Sequence, residues 1–335
     1  MDDVERPPLG VRLLGALRRQ PDWSTMTTEE LAAFRDAENR KRSSRLLRVV
    51  TGFPDGGAEI RWSEVALPDR VLPIRVYRPT QRSGDLPLVL HVHGGGFVGT
   101  AAQSDWVNSH LAARLPAVVV SVEHRLMAPD TPLRAGVDDG WDVLRHLVRH
   151  AADWRVDPTR IAVFGESTGG LIVALAALRA RDAGLPVRAQ VLVNPVTDLT
   201  EEAFDHASMK RHAHSPTLTA EQMRLFHRLA VPPGTDPRAL SPLHADDASG
   251  VAPALVVVPT LDPVADQGRR YAERLRESGT SARLTEHRGA PHGFLSMPGV
   301  VPQAKVARAE IAGFLRDRVV PVAGDVVTKE HDDRR

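Results

Sequence analysis

The segment Gly165-Glu166-Ser167-Thr168-Gly169 sets a serine between two glycines, and apolar runs flank it on both sides. Residues 160–164 before it read as a strand, and the run LIVALAAL from Leu171 reads as a helix. A serine in such a strand-to-helix turn has its hydroxyl lifted above the sheet, and side chains two residues away would collide with neighbouring backbone. The helix that follows points its first N–H groups at the same spot, where negative charge is favoured. The pattern suits a nucleophile. A glycine-rich turn that happens to hold a serine is the plain alternative, and the flanking strand and helix weigh against it. A phosphate-binding loop is a weaker rival, because no Gly-Lys-Ser/Thr follows.

A second glycine cluster, His93-Gly94-Gly95-Gly96-Phe97, follows a strand candidate at residues 88–92. Successive glycines leave backbone N–H groups bare and let a ligand oxygen come close. Attack of a serine on an acyl carbon creates a tetrahedral oxyanion that needs such donors. The expected donors are the N–H groups of Gly95, Gly96 and Thr168, although spacing leaves open which two of the three glycines face inward. His93 is expected to anchor the loop. A serine hydroxyl also needs a base, and the base an orienting acid. In a strand–helix sheet of this kind they follow in the order Ser, Asp or Glu, His. Asp262 lies just past a strand candidate at 254–258, and His292 a few residues past one at 282–286. The predicted triad is Ser167 as nucleophile, His292 as general base and then acid, and Asp262 as orienter. Asp262 before Pro263 also resembles a helix N-cap. Asp266 is the rival acid, expected inside the following helix, and His287 the rival base, expected exposed at a strand end.

These residues must be held by a sheet. Strand-like runs occur at residues 60–67, 72–77, 88–92, 117–122, 160–164, 189–193, 254–258 and 282–286. The first two alternate like an antiparallel edge pair, and the later ones are continuous apolar runs suited to strands covered on both faces. Helical patterns at 105–115, 137–150, 168–180, 266–277 and 303–319 separate them, which predicts an α/β fold with a mainly parallel sheet. Two further helices are predicted near the start, at 9–19 and 27–45, the second opening with the capping pattern Thr27-Thr28-Glu29-Glu30. Residues 197–246 break the alternation with no strand and one helix near 220–229. An excursion of that length, after the strand that follows the serine's helix, predicts a lid. The tail 321–335 is charged, aperiodic and expected to be mobile.

Composition narrows the chemistry. Among 335 residues there is no cysteine, so thiol nucleophiles, disulfides and thiolate metal sites are excluded. Lys+Arg 43 against Asp+Glu 42 gives a net charge of +1, so no face is obliged to seek nucleic acid or an anionic membrane, although a local patch is compatible with it. The acidic start and short apolar patch at 11–17 do not resemble a signal peptide, and no apolar run has the length of a membrane span. A cytoplasmic protein is expected, with no nucleic-acid or membrane partner. His206, His212 and His214 in the excursion are expected to be solvated surface histidines rather than metal ligands. Phe204, Met209, Met223, Phe226 and Leu229 are candidates for cap core or pocket lining.

Taken together, His93 to Phe97, Gly165 to Gly170, Leu261 to Asp266 and His292 to Phe294 resemble the hormone-sensitive-lipase-like branch of the α/β-hydrolases, also called bacterial family IV esterases. The stretch from His124-Arg125-Leu126-Met127 to Val137-Asp138-Asp139-Gly140, Pro195 to Asp198, and Ser241-Pro242-Leu243 are also similar to that family, so the likeness runs from about residue 60 to 319. The resemblance implies an eight-stranded, mostly parallel sheet flanked by helices. It also implies a helical cap formed by residues 1–50 and 197–246 over a core of 51–196 and 247–320. It implies hydrolysis of small carboxylic esters without metal or cofactor, by a monomer or homodimer. A lactonase, an amide or carbamate deacylase and an acyltransferase would share the acyl-enzyme, and a non-catalytic small-molecule receptor could share the fold. Departures fall near the glycine loop: Glu166 where the family has Asp, Thr168 where it has Ala, Glu123-His124 where it has Asp-Tyr, an extra residue at Met127, and Arg134 where it has Pro. The joint change predicts that Glu166 and His124 pair to brace the loop.

Overall fold

The protein is described by a computed structural model covering residues 5–17, 21–23, 25–42, 44–81 and 84–320. Residues 18–19 of the first predicted helix and the tail 321–335 lie outside them. The strands are β1 (Ala58–Ala66), β2 (Val71–Pro79), β3 (Leu86–Val92), β4 (Val118–Val122), β5 (Val156–Glu166), β6 (Val187–Val193), β7 (Ala254–Leu261) and β8 (Ala282–Pro291). They form one sheet of eight in the order β1-β2-β4-β3-β5-β6-β7-β8. β1 pairs antiparallel with β2 and β2 antiparallel with β4, and every other pairing is parallel. The expected α/β architecture, with its antiparallel edge, is therefore borne out.

The helices are α1 (Leu9–Leu17), α2 (Thr28–Arg42), α3 (Arg48–Thr51), α4 (Asp105–Arg114), α5 (Leu133–Arg149), α6 (Thr168–Asp182), α7 (Ala207–Arg211), α8 (Ala220–Ala230), α9 (Ala265–Glu277) and α10 (Gln303–Val319). Because side chains alternate along a strand, each apolar strand feeds two layers. Leu88, Leu90 and Val92 face the layer of Leu144, Ile172 and Leu275 from α5, α6 and α9. Val89 and Val119 face that of Leu111 and Leu315 from α4 and α10. None of the described helices is long and apolar enough to cross a membrane.

Three strands run three or more residues past one end of their sequence patterns. β5 begins at Val156, which pairs with Leu86 ahead of a register shift, and Asp157 Oδ1 there accepts from the Thr159 N–H (2.8 Å) and hydroxyl (2.7 Å). β7 and β8 continue past residues 258 and 286 to Leu261 and Pro291, which pair with each other beyond a register shift. Asp262 and His292 therefore leave the sheet side by side. The excursion 197–246 contains α7, α8 and short turns, and its two ends are stitched together. Leu243 N–H donates to the Thr197 carbonyl (3.0 Å), and Leu199 N–H to the Ser241 hydroxyl (2.8 Å).

β3 and β5 are neighbours, and the connections after them lead away in opposite directions, to β4 on one side and β6 on the other. That reversal leaves a crevice at the carboxyl ends of the two strands. The glycine loop follows β3 and the serine turn follows β5, so both open into it.

Between β4 and α5 the chain is fixed by a buried carboxylate. Asp139, fully buried, accepts from the Arg125 N–H (2.8 Å), from Arg125 Nη2 (2.8 Å) and from Arg70 Nε (2.9 Å). Removing it takes the carboxylate from the half-exposed Arg125, leaves the Arg125 N–H without its acceptor, and leaves Arg70 with Asp69 and Asp142. Asp139→Ala is expected to lower unfolding free energy by about 2 kcal/mol, measured by urea titration.

Candidate active site

Ser167 occupies the turn between β5 and α6 with φ 53° and ψ −116°. That left-handed backbone is strained for any residue with a side chain and persists only if its surroundings enforce it. They do so here. The Ser167 N–H donates to the Val193 carbonyl (2.9 Å), and its own carbonyl accepts from the N–H groups of Leu171 (3.2 Å) and Val196 (3.3 Å). A Cβ on Gly165 would lie 2.1 Å from the Gly169 carbonyl oxygen, and one on Gly169 would lie 2.1 Å from that of Val92. Both glycines are required because backbone meets backbone there.

The Ser167 hydroxyl lies 2.9 Å from His292 Nε2. His292 Nδ1 lies 2.8 Å from Asp262 Oδ2, and Asp262 is fully buried. The other Asp262 oxygen accepts from the Val264 N–H (2.9 Å), so this residue both turns the chain toward α9 and faces the imidazole. With a carboxylate acceptor at Nδ1, that nitrogen carries the proton and Nε2 is left to accept from the serine. The rivals are elsewhere. Asp266 sits in the first turn of α9 and pairs with Arg269 (2.8 Å). His287, expected to be exposed, is buried within β8 with Nε2 3.3 Å from Glu310, because the strand runs beyond it.

The glycine loop passes directly over the serine. A Cβ on Gly94 would come within 3.2 Å of the Ser167 Cβ. Gly94 and Gly95 line a cavity of about 480 Å³ together with Ser167, Thr168 and His292. Gly96 does not line it, and a side chain there would strike the Phe226 ring at 2.8 Å. Thr168 is the first residue of α6, where helix N–H groups have no acceptor within the helix. The remaining walls come from α1 to α3 and their connections, among them Trp23, Phe34 and Val50, and from the excursion through Met223 and Phe226. Phe204, Met209 and Leu229 pack into or against the hydrophobic core and do not line the cavity.

The loop's support differs from the expected pair. Glu166 and His124 are both buried, but they do not meet. Glu166 accepts from the Ser104 (3.2 Å) and Ser296 (3.3 Å) hydroxyls and lies 3.5 Å from His91 Nε2. His124 stacks on His93 with ring centroids 4.4 Å apart, its Nε2 3.3 Å from the His93 carbonyl. The two departures therefore brace different places: one the serine turn, the other the start of the glycine loop. Met127, the extra residue, is buried and donates its N–H to the Gly96 carbonyl (2.9 Å). Among the histidines of residues 197–246, His206 is buried, 4.0 Å from Asp198, which corrects the expectation of a solvated side chain. No cluster among the described residues could hold a metal ion.

Sequence reasoning passed over Asn194, Gln103 and the polar face of α2. The Asn194 side chain accepts from the Gly293 N–H (3.3 Å) and ties the end of β6 to the residue after His292. No motif surrounds these residues, and their partners are distant in the chain.

A family model described as the alpha/beta hydrolase fold matches residues 89–296. The chain belongs to the α/β-hydrolases, in their hormone-sensitive-lipase-like branch. It is 38% identical over 247 residues to carboxylesterase NlhH of Mycobacterium tuberculosis, covering 70% of this chain and 75% of that protein. It is 34% identical over 271 residues to esterase LipI of the same species, covering 78% and 83%. Among solved structures, an ester hydrolase from the metagenome of Lake Arreo, complexed with a bipyridine phosphonate derivative, superposes with a TM-score of 0.82 at 32% identity, covering 92% of this chain and 96% of that one.

Burial, and next the neighbouring His124, hold His93 well below the ordinary histidine value of 6.5, and burial lowers His124 too. Unfolded, these rings take up protons near that value, while the folded protein keeps them neutral. Stability is therefore full above pH 6.5 and falls as the pH drops below it. His93→Gln is expected to flatten the slope of urea-unfolding free energy between pH 6.5 and 5 by up to ~1.4 kcal/mol per pH unit.

Proposed function

We propose that this protein hydrolyses small carboxylic esters through an acyl-enzyme on Ser167, with His292 as base and acid and Asp262 as orienter. The observation that carries the reading is the continuous contact Ser167–His292–Asp262, at 2.9 and 2.8 Å, whose first two members line the same cavity as the glycine loop. The names of the relatives, carboxylesterase and esterase, support the bond type.

In the first half-reaction the Ser167 oxygen attacks the acyl carbon while His292 Nε2 takes its proton. The charge that develops on the carbonyl oxygen is met by the N–H groups of Gly95, of a neighbouring glycine and of Thr168. Gly94 suits that second place better than Gly96, since it lies on the cavity side of the loop. His292 then gives its proton to the leaving alcohol. In the second half, water attacks the acyl carbon as His292 takes its proton, and His292 then returns that proton to the Ser167 oxygen as the bond to the acyl carbon breaks and the acid leaves. Asp262 keeps the imidazole in the Nδ1–H tautomer and stabilises its cationic form throughout. The base works only when neutral.

We read residues 1–50 and 197–246 as a two-part cap on this core. The wall residues Trp23, Phe34, Val50, Met223 and Phe226 come from those segments, and they make most of the wall apolar. A volume of about 480 Å³ suits an ester of drug size or smaller.

Ser167→Ala should lower turnover of p-nitrophenyl acetate by on the order of 10⁴- to 10⁶-fold without unfolding the protein. The same substitution should abolish labelling by a fluorophosphonate. Near-normal hydrolysis by the variant would refute the assignment.

A further inference from the structure

The glycine loop is held from behind by one face of α2. Arg35, Asn39 and Arg42 are spaced four and three residues apart and so share a side of that helix. Arg35 donates to the carbonyls of Phe97 (Nε, 3.0 Å) and Met127 (Nη2, 2.6 Å). The Asn39 side-chain oxygen accepts from the Gly99 N–H (2.8 Å). Arg42 Nη1 donates to Gln103 Oε1 (2.8 Å), and Gln103 Nε2 donates to the Gly94 carbonyl (3.0 Å). A guanidinium only donates, so the amide oxygen of Gln103 must face Arg42 and its nitrogen must face Gly94. His93 Nδ1 lies 3.0 Å from the same carbonyl. With its ring kept neutral by burial and a carbonyl as partner, its proton sits on Nδ1.

The Gly94 carbonyl and the Gly95 N–H belong to one peptide unit. In a planar trans peptide these two groups point in opposite directions. Donors fixed on the Gly94 oxygen therefore aim the Gly95 N–H away from Gln103. They also polarise the unit, because hydrogen bonds in a chain strengthen one another.

We propose that Arg42 and Gln103 are positioning residues for the oxyanion hole. Their hydrogen-bond chain, anchored on α2 and ending in the Gly94–Gly95 peptide, sets the direction and strength of the Gly95 N–H donor. The inference rests on the esterase reading above. It makes the N-terminal helix part of the catalytic support as well as a wall. Phe34, Glu38, Lys41 and Arg42 of the same helix line the cavity, so a substrate that presses on this wall presses on the support of the hole.

The test uses Gln103→Glu, Gln103→Met, Arg42→Met and Arg42→Lys in the full chain. Gln103→Glu keeps an acceptor for Arg42 and replaces the donor facing Gly94 with an oxygen. Its kcat on p-nitrophenyl acetate should fall roughly tenfold, less than the 10²- to 10³-fold expected for outright loss of a donor. KM should stay within about twofold. The inhibition constant of a trifluoromethyl ketone, whose serine adduct carries an oxyanion, should rise by the same factor as kcat falls. Gln103→Met should behave alike. Arg42→Met should show a smaller loss in both quantities, and Arg42→Lys should recover most of it. Thermal unfolding midpoints identify any variant that has lost its fold. Folded Gln103 variants with wild-type kcat and ketone affinity would overturn the proposal, as would a fall in kcat with no matching loss of ketone affinity. A wild-type protein that neither hydrolyses esters nor binds the ketone would instead overturn the esterase reading.

Discussion

Ser167 sits in a backbone conformation that costs a side-chain-bearing residue roughly 1–3 kcal/mol, and five segments of backbone leave it no other. β5 delivers the residue, β6 binds its N–H, and α6 together with the segment after β6 binds its carbonyl. β3 closes the remaining side, with the Val92 carbonyl pressed against Gly169. Nothing but hydrogen atoms fits between these segments. The apolar layers on both faces of the sheet supply the burial that keeps the segments this close. The geometry of Ser167 is therefore a property of the sheet as a whole, and the turn alone could not hold it.

The proposed base and acid arrive by a second constraint, strand register. Leu261 and Pro291 are partners across β7 and β8, and in parallel strands the residues after a paired couple leave the sheet at the same level. Asp262 and His292 are those residues. The register shift between Pro259 and Leu261 carries the site as much as either side chain does. Asn194 adds the last link, joining the end of β6 to Gly293.

Beneath the start of the glycine loop lie two buried histidines. His93 and His124 stack face to face, and burial keeps both neutral. A protonated ring there would lack solvent and face a second ring 4.4 Å away. The floor of the proposed oxyanion hole is thus built from dipoles fixed in advance, the kind of environment that needs little reorganisation when charge develops. The changes from the family pattern at His124, Glu166 and Met127 fit into this floor separately. His124 holds the start of the loop, Met127 holds its middle through Gly96, and Glu166 holds the strand end below the serine.

Most of the architecture could be read along the chain, because it depends on local periods. Continuous apolar runs become the covered strands β3 to β7, alternation marks the β1–β2 edge, and Thr27 with Glu30 caps α2 as the pattern suggests, at 2.9 and 3.2 Å. The Gly-x-Ser-x-Gly turn and the three-glycine loop were legible for the same reason: each is a short segment whose backbone demands glycine. What could not be read was which polar side chains meet across long separations. Glu166 and His124 depart from the family together yet find different partners. His287 is buried because β8 runs past its apolar pattern. Gln103 lies between Arg42 and Gly94 with no motif around it. The sequence by itself determined the strand order of chemistry, serine then aspartate then histidine, and the elements that carry it, since those follow from spacing and hydrophobic period. Only the tertiary structure decided which hydrogen-bond donors and acceptors face one another, because that depends on register and packing between segments distant in the chain, 125 residues apart for Ser167 and His292.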